Sequence, residues 1–276
     1  MAWLRPLTSS ELLDVPFKLM RARWGTLTLL HLLFGAPVLL LQIVLVLPWL
    51  TRLPLWSFNL TLTGLPTLVF TQPWPFVGAL ALGALHAFPQ AAAARVIANQ
   101  VLDAAPLGVR QAVAVTWRRA LTALPAALLL RLLEAAALLA WLLPFGWLLS
   151  IFAGLPILCM LSFALEVVVL EGASPWRALR RSAALTQGLR MRLAANAFCS
   201  MVVLFVAHVL PILLQVLLGF LAEVNEATQT VLAFGTLATM IVCLSSWPTC
   251  SRVLAYLEAR VRKEGLDLQM AVEARR

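Results

Sequence analysis

Charge is what this sequence has least of. Only 12% of its 276 residues are Asp, Glu, Lys or Arg, where a soluble domain carries about 25%. With 62% hydrophobic residues and a mean hydropathy of +0.92, soluble packing could not bury the apolar surface, so lipid is the solvent for most of the chain. Lysine is nearly missing as well. Among the 21 basic residues only Lys18 and Lys263 are lysine, and the abundance of Arg, Ala and Leu fits a GC-rich bacterial genome. The four cysteines (Cys159, Cys199, Cys243, Cys250) have no CxxC spacing and sit in or beside apolar runs. That excludes a zinc ribbon and reads as small buried residues. GxSxG, P-loop and HExxH motifs are absent. His31, His86 and His208 fall on separate apolar runs, where hydrogen bonding between helices explains them better than a metal. No catalytic residue, metal or cofactor is therefore expected. Glu11 and Asp14 interrupt the N-terminal stretch and no cleavage site follows, so the first apolar run is expected to stay as a membrane span.

What is present is a series of long uncharged runs. A helix needs about 20 apolar residues to cross the hydrocarbon core. The 28 uncharged residues between Arg23 and Arg52 hold a first span near 25–49, kinked by Gly35 and Pro37. The proline-rich stretch 53–75, with Trp56, Phe58 and Trp74, reads as an extracytoplasmic loop anchored at the interface. Spans near 76–98, 121–143, 147–170, 193–220 and 228–252 follow, the third and fourth separated at Pro144-Phe145-Gly146. Residues 257–276 form a cytoplasmic C-terminal helix or tail. With six spans and both termini inside, nineteen of the 21 basic residues fall on the cytoplasmic side, leaving Arg52 outside and Arg131 within a span. The basic residues thus flank apolar spans instead of forming one soluble patch, which excludes nucleic acid as the partner.

Three basic amphipathic segments precede the odd-numbered spans: TSSELLDVPFKLMRARW, APLGVRQAVAVTWRRAL and ASPWRALRRSAALTQGLRMRL. The first offers Thr8 and Glu11 as a capping box, and Pro106 is placed to open the second. The third has Ser174 as N-cap, Pro175 in its first turn and Gly188 as a stop. Here Trp176, Leu179, Ala183 and Thr186 share one face while Arg177, Arg180 and Arg181 point away. The fold class is therefore an all-α integral membrane protein of six transmembrane helices. They are arranged as three hairpins, each introduced by an interfacial helix whose arginines meet anionic lipid.

Ionisable residues within spans are costly and need a partner or a role. Arg131 and Glu134, three apart on one helix, are expected to pair. Glu171, closing the fourth span, is expected to hold Arg181 or Arg180 of the following surface helix. Arg177, Arg180, Arg260, Arg262 and Lys263 are candidates for docking lipid headgroups or partner proteins.

Three stretches resemble one family. The opening RPLTSSELLDVPFKLMRARWGTL is similar to bacterial membrane proteins of the YciC-like group, whose members carry the description "glycerophosphoryl diester phosphodiesterase membrane domain". Glu171, Ala178, Leu179, Arg181, Ser182, Leu185, Thr186 and Gly188 resemble its central signature. Tyr256, Arg260, Arg262, Glu264, Gly265, Asp267 and Leu268 resemble its closing one. The resemblance implies a class and a topology without a phosphodiesterase domain, since the membrane uses nearly every residue. The expectation is a non-enzymatic, multi-pass protein of a bacterial inner membrane, a scaffold or subunit of a membrane assembly that binds anionic lipid and other membrane proteins. The alternative is a transporter or permease subunit with a polar path near Arg131 and Glu134.

Overall fold

The computed structural model describes residues 7–8, 10–50, 73–140, 145–221, 244 and 246–266, and among them it is all-helical without a strand. The first helix, α1 (Glu11–Ala22), opens on the capping box. Thr8 N donates to Glu11 Oε2 at 2.8 Å and Glu11 N to Thr8 Oγ1 at 3.3 Å. Leu12, Val15, Leu19 and Met20 recur on one face and are buried, while Lys18 pairs outward with Asp14. At Arg23 the backbone leaves the helical region (φ −125°, ψ 23°) and the chain turns into α2. This helix comprises Trp24–Leu30, a π-helical turn His31–Gly35 and Ala36–Leu50.

Two π turns share one cause. His31–Gly35 and Ser150–Gly154 each end two residues before a proline, Pro37 and Pro156. A proline ring collides with the carbonyl one turn back and removes a donor, and widening the preceding turn relieves both problems. The kink foreseen at Gly35 and Pro37 therefore takes the form of an inserted residue rather than a break.

Next come α3 (Pro73–Leu85) and α4 (Ala87–Val101). Then α5 (Val109–Ala140) runs for 32 residues without interruption. Here the sequence expectation needs correction. The second basic segment is the opening third of α5 and makes no surface helix of its own. No glycine or proline stands between Val109 and Leu124 to stop it, and Gly108, whose N–H meets Gln111 Oε1, opens the helix instead of Pro106. Beyond residues 141–144, α6 comprises Gly146–Leu149, the second π turn and Leu155–Leu161. After a break at Ser162, α7 (Ala164–Glu166, then a π turn Val167–Glu171) closes the segment. Gly172 follows at φ 72°, and α8 (Pro175–Thr186) begins with Ser174 as N-cap and Pro175 at its first position. Gly188 at φ 80° separates α8 from α9 (Arg190–Leu221). A side chain would meet no neighbour there, so only the left-handed backbone calls for glycine. The last described helix is α10 (Ser246–Glu264).

Among the described residues, four stretches are long and apolar enough to cross a membrane: Trp24–Gln42, Val77–Val101, Val109–Ala137 and Ser150–Glu171. Only 22–50% of their most apolar windows is buried within the protein, so much of each faces outward, as lipid-facing helices do. Leu40, Val44, Phe152, Phe205 and Leu213 are all more than half exposed. The packed core lies at the other end, where the arginines are. It joins Leu12 and Val15 of α1, Ile97 and Val101 of α4, Ala120 and Ala123 of α5, Val167–Val169 of α7 and Leu254 and Tyr256 of α10. The alanine run Ala91–Ala94 is fully or almost fully buried and lets α4 approach α5 and α10 closely. Thirteen of the 19 residues of α10 are buried, and Trp247 stacks on Phe17 of α1 with centroids 4.7 Å apart. The expected tail 257–276 is thus, as far as Val261, the continuation of a core helix. The loop 53–72, the acidic Glu223 and Glu226, most of the sixth run and residues 267–276 lie outside the described residues.

Candidate functional site at the basic end

The two signature stretches, some 70 residues apart, meet in one ionic ring. Arg181 Nε of α8 donates to Glu171 Oε2 at 3.2 Å, and its Nη2 contacts Glu264 Oε1 of α10. Glu264 also receives Arg260 Nε at 2.9 Å, and Arg260 Nε stands 3.9 Å from Glu171. Tyr256 Oη donates to Glu171 Oε1 at 2.7 Å. Alternating charge around the ring gives every carboxylate two cationic neighbours, and the side chains are only 21–34% exposed, so solvent screens them partly. Burial works against the Glu264 carboxylate, yet the Arg260 hydrogen bond and the Arg181 charge hold its pKa below the usual carboxylate value. Burial, then the bond to Glu171, raises the Tyr256 phenol.

Further struts flank the ring. Arg119 Nη1 of α5 reaches the Val169 carbonyl at 2.6 Å, filling an acceptor at the end of α7. Lys263 Nζ does the same at 2.6 Å for Ala184 O near the end of α8. Glu258, 4% exposed, is held by Arg192 at 2.9 Å and by Arg262, and both guanidiniums also contact the Leu7 carbonyl. This clamps the N-terminal segment between α9 and α10. Ser182 of α8 mends the break between α6 and α7. Its hydroxyl donates to Met160 O at 2.8 Å and accepts from Phe163 N at 3.1 Å. The packed face of α8 is consequently Ala178, Ser182, Leu185 and Thr186. That corrects the expected apolar face, since Trp176 is 66% exposed.

A second set of arginines turns outward. Arg21, Arg110, Arg118, Arg177, Arg180 and Arg190 are exposed, and none makes an ion pair with another described residue. Three exposed tryptophans accompany them: Trp24 at the α1–α2 corner, Trp117 beside Arg118, and Trp176 beside Arg177. Arg180 lies over the Trp176 ring, 5.5 Å from its centroid. Arg119, next to Arg118, bonds instead to the Val169 carbonyl.

The other predicted residues fall as follows. Arg131 Nη1 meets Glu134 Oε2 at 2.7 Å, both about a third or more exposed on α5. Arg131 packs beside Gly83, close to Gln42. Gln42 Nε2 donates to Ala79 O at 2.9 Å, and its Oε1 lies 3.4 Å from His86 Nε2. His31 Nδ1 is shared between Leu27 O at 3.0 Å and Ser246 Oγ at 3.2 Å. His208 lies on α9, with its side chain outside those described. Cys159, Cys199 and Cys250 are free thiols, and Cys243 is outside the described residues. Among the described residues no three His, Cys, Asp or Glu side chains gather closely enough to hold a metal ion. Sequence reasoning reached the pairs Arg131–Glu134 and Glu171–Arg181. It missed that Arg260, Arg262 and Lys263 commit their donors inside the chain, and it missed Arg192, Glu258 and Ser182. For Arg260 and Arg262 the available signal was an acidic partner four residues away, Glu264 and Glu258, whereas Lys263, Arg192 and Ser182 reach partners far off in the sequence. No protein-family model, no curated protein and no solved structure matches this chain.

Proposed function

We propose that the chain is a six-span protein of a bacterial inner membrane with both termini in the cytoplasm, a non-enzymatic scaffold or subunit of a membrane assembly. Its outward arginines engage anionic headgroups and a partner of the same charge preference. The observation that carries this reading is the set of exposed arginines and tryptophans at Arg118 and Trp117, adjacent in α5, and at Arg177, Arg180 and Trp176, where Arg180 lies over the Trp176 ring. Tryptophan places its amphipathic ring at headgroup depth, and each arginine near an anionic surface adds about 1 kcal/mol of attraction. The positive-inside count supports the orientation, and the uncharged runs of α9 and 227–251 support spans five and six. The proximity of Glu171, Arg181, Tyr256, Arg260 and Glu264 supports the YciC-like resemblance, because the quoted signature residues then share one structural task.

The docking surface comprises Arg177, Arg180, Arg118 and Arg110. Arg260, Arg262 and Lys263 are left out because each is already engaged by a carboxylate or carbonyl of the chain itself. Replacing Arg118, Arg177 and Arg180 together by Gln should leave insertion and thermal stability in detergent unchanged. It should also reduce both co-purifying protein and bound anionic lipid. Undiminished retention of both would refute the assignment.

A transporter subunit is the second reading, favoured by the polar string Ser246, His31, His86, Gln42, Arg131 and Glu134 across α10, α2, the α3–α4 junction and α5. It requires that Glu134→Gln abolish a flux in vesicles while the protein stays folded.

A further inference from the structure

Beside the basic ring, α6, α9 and α10 line an open cleft of about 740 Å³, within the roughly 300–1,000 Å³ typical of small-molecule clefts. Its lining runs along α9 from Leu193 to Phe205, a separation of twelve residues, or about 18 Å at the helical rise. One leaflet of a 30 Å hydrocarbon core is about 15 Å deep, so the groove has the length of one lipid chain. Its walls are almost wholly apolar, including Leu155, Leu158 and Met201.

Arg252 is the only charged side chain in the lining. It stands opposite Glu166, which is fully buried, with Nε to Oε1 at 3.4 Å. That approach leaves Nε and Nη2 of Arg252 and both carboxylate oxygens of Glu166 without a hydrogen bond. Beside them Asn196 donates to Ser251 Oγ at 2.8 Å, while its own Oδ1 has no donor. Buried polar groups in folded proteins nearly always find partners, and a cluster that does not calls for a missing one. The polar groups collect at one end of the groove, the end where α9 begins with the exposed Arg190.

We infer that this groove between α6, α9 and α10 holds one acyl chain of an anionic phospholipid, with Arg252 meeting the headgroup. The bilayer supplies acyl chains at every lipid-facing opening, the chain length fits, and the single cation sets the headgroup preference. The site is separate from the arginine–tryptophan surface and stands or falls apart from it.

The experiment uses the full chain in vesicles of equal phosphatidylglycerol and phosphatidylcholine, one of the two carrying a diazirine on its acyl chain. After illumination, labelled peptides are mapped by mass spectrometry. Label from phosphatidylglycerol is expected on 155–163 and 193–205, about fivefold above that from phosphatidylcholine. Ala197→Trp fills the groove from an exposed position and should remove most of this label with the unfolding temperature unchanged. The double variant Glu166→Gln/Arg252→Gln removes the cation without stranding a buried carboxylate. It should keep the chain label and lose the headgroup preference. Gln at Arg118, Arg177 and Arg180 should leave groove labelling intact, which separates this site from the proposed docking surface. Equal labelling by both lipids, or label spread evenly over outward residues such as Phe152 and Leu213, would overturn the inference without Ala197→Trp being needed.

Discussion

Arg177 and Arg181 are one helical turn apart on α8 and do opposite things. Arg181 reaches inward to Glu171 and Glu264, and Arg177 stands in the open beside Trp176. The same division separates Arg119 from Arg118 and Arg192 from Arg190. A count of basic residues bears on orientation, but it merges struts that hold helices together with anchors that meet the surroundings. Neighbouring positions can belong to either class: one residue turns a side chain away by about 100°, which separates Arg118 from Arg119, whereas Arg177 and Arg181, four apart, share a side of α8 and differ because only Arg181 reaches Glu171 and Glu264.

The comparison is broken most severely at Glu258. Glu258→Gln leaves Arg192 and Arg262 facing each other over a neutral group, and it should cost about 3 kcal/mol, the low end for a buried pair broken on one side. Thermal unfolding in mild detergent would measure it, and an unchanged midpoint would remove Glu258 from the struts. Arg181→Gln opens the ring while Arg260 still holds Glu264, so a smaller loss of about 1–2 kcal/mol is expected. Acid should act on the same ring. The folded pKa of Glu264 lies below its ordinary 4.5, so its contribution is present above that value and is lost as the pH falls through the folded pKa. An Arg181→Gln protein should show a weaker acid dependence than the parent as the pH falls below 4.5. The smallest effect belongs to the anchors. Arg177→Gln should shift stability by no more than about 0.5 kcal/mol, and a shift comparable to that of Arg181→Gln would abolish the distinction.

Much of the helical frame was legible. The apolar runs gave four of the spans, Thr8 with Glu11 marked the start of α1, and Ser174-Pro175 and Gly188 bounded α8. The pair Glu171–Arg181 could be read because a span end and the next surface helix are joined by three residues, which limits what the carboxylate can reach. Other features depended on distance in space. Leu7 meets Arg262 across 255 positions, and no local pattern encodes that. The face of α8 was misread for a related reason. Large apolar residues suggest the packed side, but here the contact is made by Ala178 and Ser182, whose small size admits α6 and whose hydroxyl repairs its broken ladder. Likewise α5 was divided where charge changes, although charge alone does not end a helix.

The enclosure of α10 has a consequence for how the protein is made. Helices α1 to α9 leave the ribosome before it, and the surfaces they will bury against Trp247, Leu254 and Tyr256 stay uncovered until it arrives. During that interval Glu171 and Arg181 have only each other, and Arg192 has no Glu258. The helix that fills the core is thus made after the described helices that it packs among. A nascent chain stalled before Ser246 should be open at its basic end, readily cleaved there by a protease, and resistant once α10 has been released.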